Sequence, residues 1–355
     1  MPELRKDPIT REWVIVAVER GKRPHDFARE CDAPEPPGRP CPFCPGHEQL
    51  TPPEVLAFRN PGSPANSPGW WVRAVPNKYP ALAIEGDLRK SGRGIYDYMQ
   101  GVGAHEVIIE SPDHSLTMAT MPVKQVEDVL WAYRSRYLDL ERDNRLKYIL
   151  FFRNHKRVAG ASLSHPHSQL IATPMVPQDA MAEIEGAMRY EQYHDRCVYC
   201  DMISQELDEG DRVVLETPHF LAFEPYASKY PFETWVIPKR HRGSFAAIST
   251  EEQSDFARTL KEVLLRVYLL LDDPPYNFTL HTAPTRITSD EHLHWHVEIM
   301  PRLTITAGFE MGTGIFINVT PPEQAAGHLR EVDVGALEPR QPAPQPQPTA
   351  PPPPA

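Results

Sequence analysis

The hydrophobic pattern of the chain alternates between short strand-like runs and long helical ones. Runs rich in β-branched and aromatic residues predict strands at 12–18, 106–110, 148–152, 234–237 and 277–280. Apolar residues that recur at three- and four-residue spacing predict helices at 123–144, 179–193 and 250–271. Strands separated by single long helices indicate an α+β or α/β fold.

Proline-rich segments interrupt this pattern and bound the folded part. Residues 34–45 and 60–69 are predicted loops. Nine of the 40 prolines fall in the last 17 residues, which lack any apolar period. This composition favours a disordered, polyproline-II-like tail over the alternative, a proline-rich recognition segment. We therefore expect the fold to end near residue 335.

The two halves of the chain repeat one another in the same order. CPFC at 41–44 matches CVYC at 197–200, and KYP at 78–80 matches KYP at 229–231. A strand leads to a histidine eight positions later at both 106–114 and 233–241, and a long helix follows each. The histidine segments 165–174 and 292–301 align without a gap. We infer a duplicated domain, with residues 1–177 and 178–335 as the two units and 336–355 as the tail.

Composition and charge narrow the class of protein. The 355 residues are 41% hydrophobic and 24% charged, which suits a globular protein with a sizeable core. The net charge of −11 argues against nucleic acid or an anionic membrane as a partner. No apolar run approaches the roughly 18 residues of a membrane span, and the first residues do not resemble a signal peptide. We expect a cytoplasmic protein.

Four of the five cysteines form C-x-x-C pairs, Cys31 being the fifth. Two thiolates at this spacing can face one metal, and a closed zinc site needs four ligands. The remaining candidates are His114 and His165 in the first half, and His241 with either His292 or His294 in the second. A redox dithiol and unliganded thiols are the alternatives. The prolines around the first pair and the aromatic residue within each pair favour zinc knuckles.

The segment SHPHSQ at 164–169 carries the most informative histidines. His165, His167 and Gln169 occupy alternate positions and therefore share one face of a strand. A histidine in the core is the common interpretation of a single imidazole, but three polar residues on one face after a small-residue turn indicate a site. A neutral imidazole can attack phosphorus if its other nitrogen is held by an acceptor. Gln169 and Ser162 can donate hydrogen bonds to phosphoryl oxygens.

Basic residues for a diphosphate follow the first predicted strand. Arg20, Lys22 and Arg23 cluster in ERGKRP, although a solvated basic turn is the alternative. The chain contains neither a GxxxxGK[ST] nor a GxGxxG motif, so phosphate binding must use other groups.

Together, SHPHSQ, the Arg-x-x-Arg-Pro at 20–24, CPFC, ESPDH and HLHWHVEIMPRL resemble the galactose-1-phosphate uridylyltransferase family of the histidine-triad superfamily. The resemblance extends in order over nearly all of residues 1–330. It implies an α+β fold of duplicated histidine-triad-like domains, each an antiparallel sheet with flanking helices. It also implies a homodimer.

The resemblance implies a ping-pong reaction in which His167 attacks the α-phosphorus of a nucleotide sugar and becomes nucleotidylated. Gln169 would bind the transferring group, and Asn154 and Ser162 would hold the phosphates. The family pattern assigns the nucleotide to Arg20, Arg23 and Asn77, with Phe43 beside the base. It assigns a first zinc to Cys41, Cys44, His114 and His165. A second metal, zinc or iron, falls to Cys197, Cys200, His241 and His294.

Two departures from the galactose type concern the second metal and the sugar. Galactose-type enzymes lack the CVYC pair, which is shared with ADP-glucose phosphorylase relatives and many bacterial homologues. The segment GFEMGTGIFIN keeps Glu310 for sugar hydroxyls but has Phe316 where the galactose type has a glutamine. The predicted reaction converts UDP-glucose and a hexose 1-phosphate, such as galactose 1-phosphate, into glucose 1-phosphate and UDP-hexose. Alternatives are an ADP-glucose:phosphate adenylyltransferase, a nucleotide hydrolase and a non-catalytic zinc-dependent nucleotide-binding protein.

Overall fold

The computed structural model describes residues 3–16, 40–286 and 292–337. The basic cluster at 20–23, Cys31 and the proline-rich tail beyond residue 337 lie outside these ranges. The strands are β1 (Glu3–Lys6), β2 (Trp13–Val16), β3 (Leu56–Arg59), β4 (Trp70–Pro76), β5 (Ser91–Arg93), β6 (Tyr96–Tyr98), β7 (Ala104–Ile109), β8 (Tyr148–His155), β9 (His167–Thr173), β10 (Val213–Glu216), β11 (Phe220–Phe223), β12 (Thr234–Pro238), β13 (Tyr276–His281), β14 (His296–Pro301) and β15 (Phe316–Asn318). The α-helices are α1 (Val123–Leu140), α2 (Gln178–His194), α3 (Val198–Glu209), α4 (Thr250–Leu271), α5 (Gly308–Thr313) and α6 (Pro322–Arg330).

The long helices begin and end where local chemistry allows. Helix α4 covers the predicted range because Ser249 caps it: the Ser249 hydroxyl accepts from the Glu252 amide, and the Glu252 carboxylate accepts from the Ser249 amide. Helix α1 stops at Leu140, four residues before the predicted end. The Asp143 carboxylate there accepts hydrogen bonds from the backbone and guanidinium of Arg145, which favours a turn over another helical turn.

Ten strands form one antiparallel sheet in the order β10-β11-β12-β14-β13-β8-β9-β7-β4-β3. Each half contributes five strands, and the order of the second half mirrors that of the first. The halves join where β8 pairs with β13, placing Asn154 opposite Asn277. The predicted α+β class with antiparallel sheets is confirmed, and the two sheets are fused edge to edge.

The core lies between this sheet and the helices α1 and α4, which pack on it and on each other. Tyr133 of α1 stacks on Phe151 of β8 with ring centroids 4.6 Å apart. Phe256 of α4 meets Trp295 edge to face at 5.2 Å. Burial of a phenylalanine side chain such as Phe151 or Phe256 contributes about 1.5–3 kcal/mol of transfer free energy. This packing leaves the opposite face of the sheet for His167 and Gln169, because side chains alternate along β9.

A smaller sheet connects the two ends of the described chain. Strand β2 pairs antiparallel with β1 and parallel with β15, placing Phe316 opposite Val14. Within the described ranges, no helix is both long enough and apolar enough to cross a membrane.

Candidate active site and metal centres

The first cysteine pair meets two histidines directly beside strand β9. Cys41 and Cys44 lie in a tight turn, His114 follows β7, and His165 lies two residues before the start of β9. The Cys44 sulfur lies 3.4 Å from Nδ1 of His114 and 3.6 Å from Nδ1 of His165, and these two nitrogens are 3.3 Å apart. Tetrahedral zinc implies roughly 3.6 Å between sulfur and nitrogen ligands and roughly 3.4 Å between nitrogens. The four side chains therefore fit a closed zinc site.

The Nε2 atoms of the two histidines, which face away from the thiols, have hydrogen-bond partners that orient the rings. Nε2 of His165 donates to the carbonyl of Ser111 at 2.8 Å, which leaves Nδ1 facing the cluster. Nε2 of His114 lies 2.8 Å from the hydroxyl of Ser164. Burial lowers the pKa of His165 to about 4, which keeps the imidazole in the neutral form that a metal requires.

The second half contains a matching cluster of Cys197, Cys200, His241 and His294. The Cys200 sulfur lies 3.3 Å from Nδ1 of His241 and 3.8 Å from Nδ1 of His294. Here Cys197 is the N-cap of helix α3, so this pair opens a helix. The prediction of a knuckle in both halves is therefore wrong for the second pair. The residues after Cys200 continue a helix, whereas Pro45 follows the first pair directly.

In the second cluster it is His294, and not His292, that lies beside the thiols. Nε2 of His294 donates to the carbonyl of Pro238 at 2.6 Å, as His165 does to Ser111, and its Nδ1 faces the thiols. The side chain of His292 instead contacts the carboxylate of Glu191.

A further pair of hydrogen bonds, one in each half, shows that the gap-free alignment of the two histidine segments is wrong by two residues. Nδ1 of His167 donates to the His165 carbonyl at 2.8 Å, and Nδ1 of His296 donates to the His294 carbonyl at 3.0 Å. Position 165 thus corresponds to 294, 167 to 296 and 169 to 298.

His167 has the properties of a nucleophile. Because a carbonyl can only accept, the contact with His165 places the proton on Nδ1 and the lone pair on Nε2. Burial, with a smaller contribution from the guanidinium of Arg153, lowers the pKa of His167 to about 4. The imidazole is therefore neutral at pH 7. The ring of Phe43 meets it edge-on with centroids 5.3 Å apart, so this aromatic residue lies beside His167. Its place beside the base stays a prediction.

Two further side chains contact the predicted phosphoryl ligand Gln169, and a third lies on the neighbouring strand. Nδ2 of Asn77 lies 3.5 Å from Oε1 of Gln169, and Nε2 of His105 lies 2.8 Å from the same oxygen. Asn154 shares a face of β8 with Phe152, which pairs with Gln169. The sequence prediction missed His105. The signal available was its position in β7, where strand alternation places it on the same face as Val107.

Several residues predicted to bind the substrate are not in contact with His167 in the described part of the structure. Ser162 is exposed in the loop before β9. The carboxylate of Glu310 accepts from the amides of Ala307 and Ile317, at 2.8 and 3.1 Å. Phe316 packs edge-on against Tyr230 at 5.4 Å. Among the described contacts, neither Glu310 nor Phe316 reaches His167. Arg20 and Arg23 lie outside the described residues.

A third group of potential ligands, which the sequence prediction missed, comprises Glu183, His281 and His296. His281 lies between two carboxylates, 3.1 Å from Glu183 and 3.5 Å from Glu298. Burial lowers the pKa of His281, but these carboxylates outweigh burial and raise it to about 9. A protonated imidazole is a hydrogen-bond donor and a poor metal ligand, so this group acts as an ion-pair cluster.

Two domain models and several curated proteins match the chain over nearly its whole length. The sequence models of the N-terminal and C-terminal domains of galactose-1-phosphate uridyl transferase match residues 1–177 and 183–338. An ADP-glucose phosphorylase from Arabidopsis thaliana is 38% identical over 94% of this chain and 93% of its own length. A galactose-1-phosphate uridylyltransferase from Thermotoga maritima is 34% identical over 94% of this chain and 99% of its own length.

Solved structures show the same relationship. The crystal structure of an ADP-glucose phosphorylase from Arabidopsis thaliana with bound ADP-glucose superposes with a TM-score of 0.79, at 36% identity, over 94% of this chain and all of that chain. A uridylyltransferase structure superposes with a TM-score of 0.72, at 29% identity, over 93% of this chain and 97% of that chain. The chain therefore belongs to the galactose-1-phosphate uridylyltransferase family.

Proposed function

We propose that the protein is a nucleotidyltransferase that works by double displacement through His167. Nε2 of His167 attacks the α-phosphorus of a nucleotide sugar, and the bond from that phosphorus to the bridging oxygen breaks. The leaving group departs as sugar 1-phosphate. A phosphate oxygen of the second substrate then attacks the same phosphorus, and the imidazole is released neutral. The observation that carries this proposal is the His167–His165 hydrogen bond, which leaves Nε2 free to attack.

The groups around His167 stabilise the charge on the phosphoryl oxygens and position the substrate, and none of them is needed to transfer a proton. Gln169 and Asn154 offer neutral amide donors for phosphoryl oxygens, and Ser162 a hydroxyl on the loop before β9. We assign the nucleotide to Phe43, Asn77, Arg20 and Arg23. A neutral donor set suits a reaction in which nucleotidylation creates a positive charge on the imidazole ring.

We assign zinc to both cysteine–histidine clusters, with iron as the alternative at the second. A closed four-ligand site supplies structural stability, without an open position for substrate. His165 lies two residues before His167, so its fixed ring would hold the start of β9 in place. Thiolates that hold a metal suit a cytoplasmic, reducing compartment. Following the family, we propose a homodimer.

The substrates we favour are UDP-glucose and a hexose 1-phosphate, as in the uridylyltransferases of the family. The second candidate is ADP-glucose with inorganic phosphate, favoured by the 38% identity to a protein named ADP-glucose phosphorylase. Phe316 offers no group to bind a sugar hydroxyl. We therefore expect weak discrimination between galactose 1-phosphate and glucose 1-phosphate, which differ at one hydroxyl.

The experiment compares two donors and three acceptors. The protein is incubated with UDP-glucose or ADP-glucose labelled at the α-phosphorus, and initial rates are measured with galactose 1-phosphate, glucose 1-phosphate and phosphate. We expect label from UDP-glucose and similar rates with both sugar phosphates. Label from ADP-glucose alone, with phosphate as acceptor, would establish the second candidate. An exclusive preference for galactose 1-phosphate would contradict our interpretation of Phe316, and no label from either donor would contradict nucleotidyl transfer.

A further inference from the structure

The amide side chains of Gln169 and Asn154 can each lie in two orientations, which exchange the positions of the oxygen and the NH2 group without changing the shape of the side chain. The amides of Gln169 and Asn154 each carry an accepting oxygen at one corner and a donating NH2 group at the other. A phosphoryl oxygen can only accept, so these residues assist transfer only if the NH2 groups face the substrate. Their orientation is decided by neighbours that can only donate or only accept.

The orientation of the Gln169 amide is set by His105, whose own tautomer is set by the backbone amide of Ala81. The N–H of Ala81 donates to Nδ1 of His105 at 3.1 Å, so Nδ1 carries the lone pair and Nε2 carries the proton. That Nε2–H lies 2.8 Å from Oε1 of Gln169 and donates to it.

A second donor reaches the same oxygen. Nδ2 of Asn77 is 3.5 Å from Oε1 of Gln169, and Oδ1 of Asn77 is held by the amide of Tyr79 at 2.9 Å. Nδ2 of Asn77 also lies 3.1 Å from Nε2 of His105, and since both atoms carry protons this is a contact between two donors that face the same oxygen, not a hydrogen bond. Two N–H groups therefore converge on Oε1 of Gln169, and its NH2 group must point away from them.

The orientation of Asn154 follows from Arg302 through Asn277. Nε of Arg302 only donates, and it lies 2.6 Å from Oδ1 of Asn277. Nδ2 of Asn277 then donates to the carbonyl of Ala159 and to Oδ1 of Asn154, each at 2.8 Å. The oxygen of Asn154 is thus engaged across the β8–β13 seam, and its NH2 group is the one available for an anion.

We infer that His105 and Asn277 are positioning residues that fix the polarity of the two phosphoryl-binding amides. The inference rests on the proposed nucleotidyl transfer, in which Gln169 and Asn154 bind the α-phosphoryl group. A flipped amide would turn a carbonyl dipole towards the phosphoryl anion. Donors fixed before the reaction stabilise the charge that develops in the transition state without reorganising.

The effect of His105 is testable with three variants and the rate of the first half-reaction. His105→Phe keeps an aromatic ring but neither hydrogen bond, His105→Asn keeps an acceptor for the Ala81 amide, and His105→Gln keeps a donor that can reach Gln169. The single-turnover rate of covalent labelling is measured with UDP-glucose and with ADP-glucose. We expect the Phe and Asn variants to label about 10–100-fold more slowly, with little change in half-saturating concentration. The Gln variant should recover most of the rate.

A double-mutant cycle separates positioning from general damage. If His105 acts through Gln169, His105→Phe should cost little further rate in a Gln169→Ala background. For the second relay, Asn277→Asp keeps the acceptor for Arg302 but places a second oxygen against Asn154. This variant should label at least about 10-fold more slowly than the wild type while it keeps its bound metal.

Each outcome bears on one claim. Wild-type protein that takes no covalent label contradicts the proposed function. A wild type that labels, with His105→Phe equally fast or with all three His105 variants equally slow, overturns the role of His105 alone. Independent, additive losses in the Gln169→Ala cycle do the same. Wild-type labelling by Asn277→Asp overturns the second relay. If a variant fails to fold, the His105→Gln and His105→Asn pair decides between a lost donor and lost structure.

Discussion

The two histidine strands of the molecule share a framework and differ in what surrounds it. In both β9 and β14, a histidine of the metal cluster precedes the strand and its carbonyl accepts from the next histidine, at 2.8 Å in the first half and 3.0 Å in the second. Two residues further on, the first strand has Gln169 and the second has Glu298. A neutral amide can bind a phosphoryl group, whereas a carboxylate repels one.

The rings around the two histidines differ as well. Among the described ring contacts, His167 meets the ring of Phe43 edge-on. His296 instead stacks on Trp235 at 4.6 Å and on His281 at 4.9 Å, and it is almost fully buried. The comparison teaches that the metal frame alone does not make a transferase site. We propose that the residue two positions after the histidine, together with the rings packed against the histidine, decides which half reacts.

The largest expected effect is the difference in nucleotidyl-transfer activity between a His167 variant and the matched His296 variant. His167→Gly should lower nucleotidyl transfer by at least about 10³-fold, because the attacking group is removed while every metal ligand remains. The matched variant His296→Gln should keep activity within about threefold, since His296 is covered by other rings. Turnover and covalent label are measured for both, with metal content and melting temperature as controls. A His167→Gly protein that still forms a covalent nucleotidyl-enzyme would contradict the assignment.

The next comparison concerns the two metal clusters. Cys44→Ser and Cys200→Ser should each lose about one equivalent of zinc and lower the free energy of unfolding, by at least about 4 kcal/mol, as expected for loss of a structural metal. Cys44→Ser should also lower activity more, because His165 leads directly into the strand of His167. Full activity in a metal-free preparation would contradict this coupling.

A narrower test sharpens the correspondence of the two strands. His294→Ala should lose the second metal, because Nδ1 of His294 faces Cys200 at 3.8 Å. His292→Ala should keep it, because the His292 side chain contacts Glu191 instead. Metal content measured on both proteins decides the matter. Loss of metal in His292→Ala alone would restore the gap-free alignment.

The smallest effect concerns the ion-pair cluster beside His296. The pKa of His281, raised from 6.5 to about 9, means that the cluster stabilises the fold fully below pH 6.5 and loses this contribution as pH rises through 9. Relative to His281→Gln, the wild type should lose on the order of 1–3 kcal/mol of unfolding free energy across this range. Denaturant unfolding at pH 6, 7.5 and 9 measures it. Parallel curves for the two proteins would show that His281 is not protonated in the fold.

Much of this arrangement was predictable from local sequence. The period of apolar residues and the Ser249 cap define α4, and strand alternation places His167 and Gln169 on one face of β9. The cysteine spacing and the histidines identified candidates for both metal clusters. These features depend on residues that lie close in sequence or repeat a pattern.

Other features depend on contacts between distant segments. The β8–β13 seam joins strands more than 100 residues apart, and no periodicity reports which edges pair. The role of His105 was hidden because a single histidine in a strand resembles an ordinary core residue. The two-residue offset was hidden because His292, His294 and His296 are spaced alike, and only their carbonyl partners distinguish them.

The central claim is that His167 alone carries the nucleotidyl group, and mass spectrometry tests it directly. The protein is incubated with UDP-glucose or ADP-glucose without acceptor, quenched at alkaline pH and digested. We predict one nucleotidyl adduct per chain, on the peptide containing His167, that disappears when the acceptor phosphate is added. An adduct on the peptide containing His296, or steady turnover without any adduct, would contradict the account.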